Sequence, residues 1–394
     1  MAVSNITFHL SKVGASKTTS WFNMRIMTFQ SSALLMDKVP QANLVDETDV
    51  LIENVKDAGI ITLNRPKPLN ALNLSMIRKI YPTLKGWEGS KRLVIIKATG
   101  QKAFCAGGDV KSVTTALDLP DGKKLGQTFF REEYTLNHLI GTYKSPYLAL
   151  LNGVTMGGGV GLSVHGKYRI ATENTLFAMP ETAIGLVPDV GGTFFLPRLK
   201  GKLGYYLGLT GHRLKGTDVL LAGIATHYVL SERLGDLTNE LLETNSSDID
   251  VIIKKYQPNN FSPEFTLNPY LEQIDHCFTA SSIQEIIQKL ESDGSDWAVR
   301  SLQLLKKMSP TALAVTFAAL NKGAQQSLAE CLKMEFRLTS AALTKDGDFY
   351  EGVRALLVDK DQNPVWKPAT INEISPKDIM AKFAKLPATE ELDL

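Results

Sequence analysis

The sequence is poor in cysteine. Its 394 residues include only three cysteines, Cys105, Cys277 and Cys331, and no two of them form a CxxC pair. Disulfide frameworks and structural zinc sites need suitably spaced cysteines, so we predict neither, and we expect a reducing compartment. We therefore predict no bound metal and a fold that depends on its hydrophobic core.

The sequence also lacks the long apolar runs of membrane proteins and the charge excess of nucleic-acid-binding proteins. No apolar run reaches the roughly 18 residues that a membrane-spanning helix needs. The 43 Lys and Arg residues nearly balance the 41 Asp and Glu residues, and the formal net charge is +2. We predict a soluble globular protein with neither a membrane nor a nucleic acid as its partner.

Acidic residues are absent from the N-terminus. Residues 1–36 contain Lys12, Lys17, Arg25 and many Ser and Thr residues, and the first acid is Asp37. A basic, acid-free, Ser-rich N-terminus without a secretory apolar core is typical of a mitochondrial transit peptide, and a disordered tail is the alternative. We predict a transit peptide over residues 1–36 and a mature protein in the mitochondrial matrix.

What the sequence has instead is an alternation of strand and helix patterns in its first half. Residues 48–63 predict two strands joined by a turn at 57–59. Asn73 is the predicted N-cap of a helix, and the apolar runs 93–97 and 147–151 predict buried strands. Strands that alternate with helices favour an α/β fold with parallel pairing.

Helical periodicity dominates after about residue 200. The polar segment 244–270 predicts an excursion between two helical groups. We divide the chain into the transit peptide (1–36), a catalytic core (37–230) and a helical C-terminal region that completes the fold (231–394). The predicted C-terminal helices lie at 201–210, 231–243, 282–291, 296–308, 310–325 and 327–344.

Two Gly-rich turns carry the clearest sign of chemistry. FCAGGD (104–109) and MGGGVGLS (156–163) each follow a predicted buried strand, and the second precedes a short helical pattern. Backbone N–H groups at such turns and helix starts are unpaired, and two that converge form an oxyanion hole. One Gly cluster alone is more typical of a tight turn, but two in this arrangement favour a site. Neither turn fits a phosphate loop or a dinucleotide fingerprint.

Two carboxylates follow in PETAIGLVPDVGG (180–192). Glu181 and Asp189 lie in an otherwise apolar segment, where burial raises a carboxyl pKa and favours proton transfer near neutral pH. The alternative is that each acid caps a short helix. His165 and Cys105 are interpreted as structural residues.

These motifs, together with NRPKPLNAL (64–72) upstream, resemble the crotonase (enoyl-CoA hydratase/isomerase) superfamily over about residues 48–375. The resemblance implies a ClpP/crotonase-like spiral of ββα units with a helical C-terminal region. Within the superfamily, the sequence is most similar to the enzymes of valine breakdown that hydrolyse the thioester of 3-hydroxyisobutyryl-CoA.

The resemblance also implies roles for individual residues. The backbone amides of Gly108 and Gly158 would bind the thioester oxygen. Glu181 would act as general base on water or attack the carbonyl to form an anhydride. Asp189 would hold the substrate's hydroxyl group or assist proton transfer to the leaving thiolate, and Glu133 would bind or orient the substrate.

Further implications concern ligands and assembly. The loop 64–72 and Ala106–Gly107 would follow the pantetheine and adenine of coenzyme A, so Gly107 joins the substrate-binding residues. The predicted partner is a small-molecule acyl-CoA; no cofactor is implied, because coenzyme A is part of the substrate. The C-terminal helices of this family often mediate trimer assembly or cover the active site, which leaves a homo-oligomer as an open expectation.

One departure separates this chain from the hydratases, which need a second carboxylate just after GGG. Here that position is Gly161, which argues for hydrolysis and against hydration. Two alternatives stay open: another hydratase or isomerase of the superfamily, and a non-catalytic homologue of the mitochondrial ribosome. The second alternative predicts a decayed site, whereas all the implied site residues are present.

Overall fold

The computed structural model describes residues 48–244 and 248–394. The predicted transit peptide at 1–36 lies outside the described residues. All described residues belong to one compact unit. Within them, no helix combines the length and the apolar character that crossing a membrane requires.

Two β-sheets form the centre of this unit. The large sheet has the strand order β1-β2-β3-β5-β7-β10, and the small sheet has the order β4-β6-β8-β9. Neighbouring strands are parallel except in the pairs β1–β2 and β8–β9. The strands are Val50–Val55 (β1), Ala58–Leu63 (β2), Leu93–Ala98 (β3), Ala103–Cys105 (β4), Tyr147–Leu151 (β5), Val154–Met156 (β6), Tyr168–Ala171 (β7), Leu176–Ala178 (β8), Leu214–Lys215 (β9) and His227–Tyr228 (β10).

From β3 to β8, successive strands alternate between the two sheets. β3, β5 and β7 join the large sheet, and the strands that directly follow them, β4, β6 and β8, join the small sheet. Helical segments follow each of these pairs, which confirms the predicted spiral of ββα units. Because β4 and β6 are parallel neighbours, with Ala103 opposite Val154 and Cys105 opposite Thr155, the turns after these two strands lie side by side.

The strands predicted within residues 48–63 and at 93–97 and 147–151 are confirmed. Every residue of β2 and β5 is buried, as expected of parallel strands covered on both faces. The first hairpin turns at Lys56 and Asp57, one residue earlier than predicted, because Ala58 already pairs with Val55. A two-residue hairpin turn needs a positive φ, and Lys56 supplies it with φ 52°.

Helices cover the sheets and make up the C-terminal half. Short 3₁₀ turns occur at Glu181–Ile184, Leu196–Arg198, Ser231–Arg233, Asn268–Tyr270 and Ile371–Glu373, and a π-helical turn at Arg354–Val358. The α-helices are Leu74–Trp87 (α1), Val110–Ala116 (α2), Gly122–Gly141 (α3), Gly158–Gly161 (α4), Gly192–Phe195 (α5), Leu203–Thr210 (α6), Thr217–Leu221 (α7), Leu234–Glu243 (α8), Ile249–Lys255 (α9), Leu271–Phe278 (α10), Ile283–Asp293 (α11), Asp296–Leu305 (α12), Pro310–Gly323 (α13), Leu328–Ala342 (α14), Asp348–Val353 (α15) and Pro376–Lys382 (α16).

The N-terminal helices differ in how well the sequence predicts them. Asn73 caps α1 as predicted, since its side chain accepts a hydrogen bond from the Met76 N–H at 2.9 Å. Helix α3 is not among the predicted elements. Its buried face carries the polar residues Glu133 and Asn137, which interrupt the apolar stripe by which amphipathic helices are found.

The C-terminal half is helical, as predicted, and the described residues from 231 onward contain no strand. The segment 244–270 is predicted to be a polar excursion, but this is wrong for its residues Ile249–Lys255, which form α9. This helix buries Ile249, Ile252 and Ile253 in one apolar cluster with the large sheet. Helix α14 packs along α3, which places the C-terminal region directly behind the segment that follows Asp189.

Candidate active site

The two Gly-rich turns lie against each other at the ends of β4 and β6. Gly107 has φ 121° and Gly157 has φ 43°, backbone conformations that favour glycine. A Cβ atom placed on Gly158 would lie only 3.1 Å from the amide nitrogen of Gly108. Only glycine at position 158 therefore leaves open the space between these two amides.

Both predicted oxyanion donors have free N–H groups. Within the described residues, neither the Gly108 N–H nor the Gly158 N–H donates a hydrogen bond to the protein. Gly158 is the first residue of α4, where the N–H has no partner within the helix. The neighbours of Gly108 are fixed instead: Leu72 N–H donates to Gly107 O at 2.9 Å, and Asp109 N–H donates to Leu72 O at 2.8 Å. Two free amides this close are suited to bind one negatively charged oxygen.

Three buried carboxylates surround the second turn. Glu133 comes from α3, Glu181 opens a 3₁₀ turn, and Asp189 follows in the next loop; their exposed fractions are 2%, 6% and 5%. Glu133 Oε1 lies 2.6 Å from the Cβ position of Gly158, and Glu181 Oε1 lies 2.9 Å from that of Gly157. The structure thus brings together residues that are separated by up to 56 positions in the chain.

The alternative that Glu181 and Asp189 cap short helices is wrong. Pro180 and Gly191 occupy the two N-cap positions, and neither turn has a side-chain cap. Glu181 Oε2 is buried and has no hydrogen-bond partner. Asp189 Oδ2 instead accepts a hydrogen bond from the Tyr134 hydroxyl at 2.6 Å. Neither carboxylate is therefore used as a helix cap, and Glu181 Oε2 is left without a partner among the described residues.

Burial controls the protonation of these carboxylates. It raises the pKa of Glu133 and of Glu181 well above the usual carboxyl value, and the negative charge of Asp189 raises both further. Burial also raises the pKa of Asp189 to about 6, while the hydrogen bond from Tyr134 acts in the opposite direction. A carboxylate with a raised pKa is a stronger base, so the burial of Glu181 suits it to proton abstraction.

The backbone after Asp189 is strained and held in place. Val190 has φ 52°, which is rare for a β-branched residue and persists only when surrounding contacts enforce it. His165 Nε2 donates to Val190 O at 2.7 Å. Glu335, a fully buried residue of α14, accepts hydrogen bonds from Gly191 N–H at 2.7 Å, Thr193 N–H at 2.9 Å and Thr193 Oγ1 at 2.6 Å. The C-terminal region thereby positions Asp189.

The position of the second hydratase carboxylate is closed. A Cβ atom on Gly161 would lie 2.7 Å from Asn137 Nδ2 and 2.8 Å from Val190 Cβ. Real Cβ atoms essentially never approach neighbours so closely, so a glutamate at 161 would displace Asn137 or Val190. The predicted departure from the hydratases is therefore a matter of space as well as of residue type.

The sequence patterns do not identify three residues of the site: Tyr134, Asn137 and Glu335. Asn137 follows Glu133 by four residues on α3, and this helical spacing is the signal that could have found it. Tyr134 directly follows Glu133 on another face of the helix, so spacing gives no signal for it. Glu335 lies 146 residues after Asp189, and no local pattern connects the two. Its role follows only from the packing of α14.

The predicted coenzyme A loop adjoins the first Gly-rich turn. Ala106 N–H donates to Leu69 O at 3.0 Å, and Leu72 forms a parallel bridge with Gly108. The Arg65 guanidinium lies 3.4 Å from Asp109. Residues 64–72 and 106–109 thus form one continuous wall beside the free amide of Gly108.

Other candidates have structural roles or lie elsewhere. Cys105 is fully buried, and burial raises the pKa of its thiol to about 12; burial likewise lowers the pKa of His165 to about 4. A cavity of about 620 Å³ adjoins Gly185–Val187, but none of the predicted site residues lines it. In residues 48–244 and 248–394, no group of three His, Cys, Asp or Glu side chains is placed to hold a metal ion.

A family model described as enoyl-CoA hydratase/isomerase matches residues 58–383 of this chain. The chain belongs to the enoyl-CoA hydratase/isomerase family. Two solved structures share the predicted crotonase-like fold. A carnitinyl-CoA dehydratase from Mycobacterium thermoresistibile is 36% identical, with a TM-score of 0.81 over 88% of this chain and 99% of that chain. An enoyl-CoA hydratase from Rhodobacter sphaeroides 2.4.1 is 38% identical, with a TM-score of 0.80 over 88% and 100%.

Curated relatives are more similar still. The 3-hydroxyisobutyryl-CoA hydrolase, mitochondrial, of Danio rerio is 52% identical over 355 residues, which cover 88% of this chain and 91% of that protein. The protein of the same name from Homo sapiens is 50% identical over 350 residues, covering 87% and 90%. Among these family members, the higher identity is with proteins named for thioester hydrolysis.

Proposed function

We propose that this chain hydrolyses the thioester of 3-hydroxyisobutyryl-CoA to 3-hydroxyisobutyrate and free coenzyme A, as a step of valine breakdown. The observation that favours hydrolysis over hydration is that position 161 has no room for a side chain. Water addition across a double bond needs a second carboxylate there, and Asn137 and Val190 fill that space. Relatives with about half of their residues identical to this chain are named for this hydrolysis.

The thioester carbonyl is bound between the two Gly-rich turns. Its oxygen accepts hydrogen bonds from the free N–H groups of Gly108 and Gly158. As the carbonyl carbon becomes tetrahedral, the oxygen gains a negative charge, which these fixed donors stabilise. Each such donor contributes on the order of 3 kcal/mol to lowering the barrier.

Glu181 activates the attack. In the general-base route, its carboxylate takes a proton from water, and the hydroxide oxygen bonds to the carbonyl carbon. In the covalent route, Glu181 itself bonds to that carbon, and water later hydrolyses the anhydride. In both routes the carbon–sulfur bond breaks and the electron pair leaves with sulfur. The thiolate takes its proton from protonated Glu181 in the general-base route, and in the covalent route the water that hydrolyses the anhydride supplies that proton. The buried, unpartnered Oε2 of Glu181 supports both routes.

Asp189 and Glu133 complete the site. Asp189, ionised above a pKa of about 6, accepts a hydrogen bond from the hydroxyl group of the acyl chain. Glu133 adjoins Gly158 and orients the substrate beside the second turn. Residues 64–72 and 106–107 follow the pantetheine and adenine by backbone contacts, and no cofactor or metal takes part.

We place the protein in the mitochondrial matrix. Relatives that cover nine-tenths of this chain carry the word mitochondrial in their names, and residues 1–36 contain no acid. That the chain forms a homo-oligomer stays a prediction.

The function is tested by thiol release from 3-hydroxyisobutyryl-CoA, with protein lacking residues 1–36. Replacing Glu181 by Ala should lower turnover by about a thousandfold, because the base or nucleophile is lost. Glu132→Ala is the matched control: Glu132 neighbours Glu133 but pairs with Arg78 at the surface, so its loss should leave turnover unchanged. No thiol release by the folded wild-type protein would refute the proposal.

The two routes are separated by trapping. Hydroxylamine added during turnover converts an anhydride at Glu181 into a hydroxamate, which mass spectrometry of the digested protein detects. A hydroxamate at Glu181 supports the covalent route. Hydroxylamine attack on the other carbonyl of the anhydride would give an acyl hydroxamate in solution instead, so the general-base route is supported only when neither a Glu181 hydroxamate nor enzyme-dependent acyl hydroxamate forms.

A further inference from the structure

Buried polar side-chain atoms without a hydrogen-bond partner are concentrated at this site. In residues 48–244 and 248–394 there are ten such atoms, and four of them belong to Glu133, Glu181 and Asn137. Two of the four are the amide nitrogen and oxygen of Asn137, a residue with no exposed surface. An unpaired buried amide destabilises a folded protein, so such groups usually have a partner in the working state.

Asn137 lies close to the thioester turn and to the segment that carries Asp189. It follows Glu133 by one helical turn on α3, so both side chains point to the same side of the helix. Glu133 lies against Gly158, and Asn137 lies against Gly161 at the other end of α4. Val190, which contacts the same Cβ position on Gly161, directly follows Asp189. Asn137 is therefore bracketed by the thioester turn and the segment that carries Asp189.

The chemistry of the substrate supplies the missing partner. A hydroxyl group donates one hydrogen bond and accepts up to two. The ionised Asp189 is able only to accept, and the Tyr134 hydroxyl already donates to it. A buried hydroxyl oxygen therefore needs a donor from the protein, and the Asn137 Nδ2 group is an unpaired donor beside that segment.

We propose that Asn137 binds the hydroxyl group of the acyl chain, with Nδ2 donating to the hydroxyl oxygen while the hydroxyl donates to Asp189. This inference rests on the proposed function and names the residue by which the site selects hydroxylated acyl chains. In the free protein Asn137 fills the space beside Gly161, and in the complex its amide gains a partner. A merely space-filling Asn137 would support every acyl chain equally.

The test compares two substrates that differ only in this hydroxyl: 3-hydroxyisobutyryl-CoA and isobutyryl-CoA. The Asn137→Leu variant keeps nearly the same size and removes the donor. We expect the ratio of kcat/KM for the hydroxylated substrate over the plain one to fall by about tenfold or more, because a buried hydroxyl loses its partner. The rate with isobutyryl-CoA should change less than about threefold.

A matched control is Thr316→Val, which removes another buried, unpartnered polar group from a different helix, α13. It should leave the substrate ratio unchanged. Should the leucine variant fail to fold, as judged by circular dichroism, Asn137→Ala removes the same donor without added bulk. A folded Asn137 variant with the wild-type ratio overturns the proposal, and so does an equal loss with both substrates.

Binding without turnover separates this inference from the function itself. We would measure by calorimetry two thioether analogues in which a methylene replaces the carbonyl, one with the hydroxyl and one without it. Wild-type protein should bind the hydroxylated analogue about tenfold more tightly, and Asn137→Leu should bind the two equally. Wild-type protein that prefers neither analogue overturns the role of Asn137. Wild-type protein that prefers the hydroxylated analogue yet releases no thiol contradicts the hydrolase function alone.

Discussion

Replacing Gly158 by Ala is the sharpest test of the oxyanion hole. The added Cβ would lie 2.6 Å from Glu133 Oε1 and 3.1 Å from the Gly108 nitrogen. It therefore enters the space between the two amides that the thioester oxygen must occupy. Glu133 is buried, with 2% of its surface exposed, so its carboxylate has little room to retreat.

The size of the effect follows from the geometry. Alanine keeps the N–H of residue 158, but its Cβ should prevent the thioester oxygen from reaching both amides at once. Loss of one of the two hydrogen bonds raises the barrier by about 3 kcal/mol, which corresponds to a fall in kcat/KM of about 150-fold. The cost to folding should be smaller, about 1 to 2 kcal/mol for the overlap with Glu133. The catalytic loss should thus far exceed the loss of stability.

The assay is thiol release from 3-hydroxyisobutyryl-CoA beside urea unfolding of the same variants. Gly86→Ala is the matched control, because Gly86 lies in α1 and a Cβ there would meet no atom within 4 Å. It should keep full activity and gain up to about 1 kcal/mol of stability from the helix preference of alanine. A Gly158→Ala protein with nearly wild-type kcat/KM would refute the assignment of the hole to these two turns.

Two further predictions concern the residues that hold Asp189. Tyr134→Phe removes the hydrogen bond that favours ionised Asp189, so the pKa of Asp189 should rise above its value of about 6. Since the site needs this acid ionised, the acid limb of the kcat/KM–pH profile should move to higher pH, and an unmoved limb would contradict the assigned role. Glu335→Ala leaves three buried donors without an acceptor and should lower the free energy of unfolding by about 3 kcal/mol or more. Glu330→Ala, in the exposed capping box of the same helix, should lower it much less in the same urea titration, and equal losses would argue against the role of Glu335.

The fold could be predicted where the sequence pattern is local. The apolar strands at 93–97 and 147–151 and the cap at Asn73 are confirmed, because burial on both faces and capping each depend on residues close together in the chain. Strands of three residues, such as β4 and β6, carry too little periodicity to be found this way. Helix α3 was missed because Glu133 and Asn137 interrupt its apolar face.

The site, like the fold, has features that a local sequence pattern predicts and features that it does not. The order of the Gly-rich turns and of Glu181 and Asp189 pointed to the family, because each motif is a short stretch of neighbouring residues. The closure at Gly161 could be anticipated as a missing acid, but not as a position already filled. That second fact needed the packing of α3 against α4.

The sequence by itself determined the chemical groups of this protein and the turns that present them. Only the tertiary structure decided how those groups act together. It set Glu133 from α3 against Gly158, fixed the strained Val190 through Glu335, and buried three carboxylates so that their pKa values rise. Proton affinity depends on desolvation and on charges within a few ångströms, and those distances arise from contacts between segments far apart in the chain.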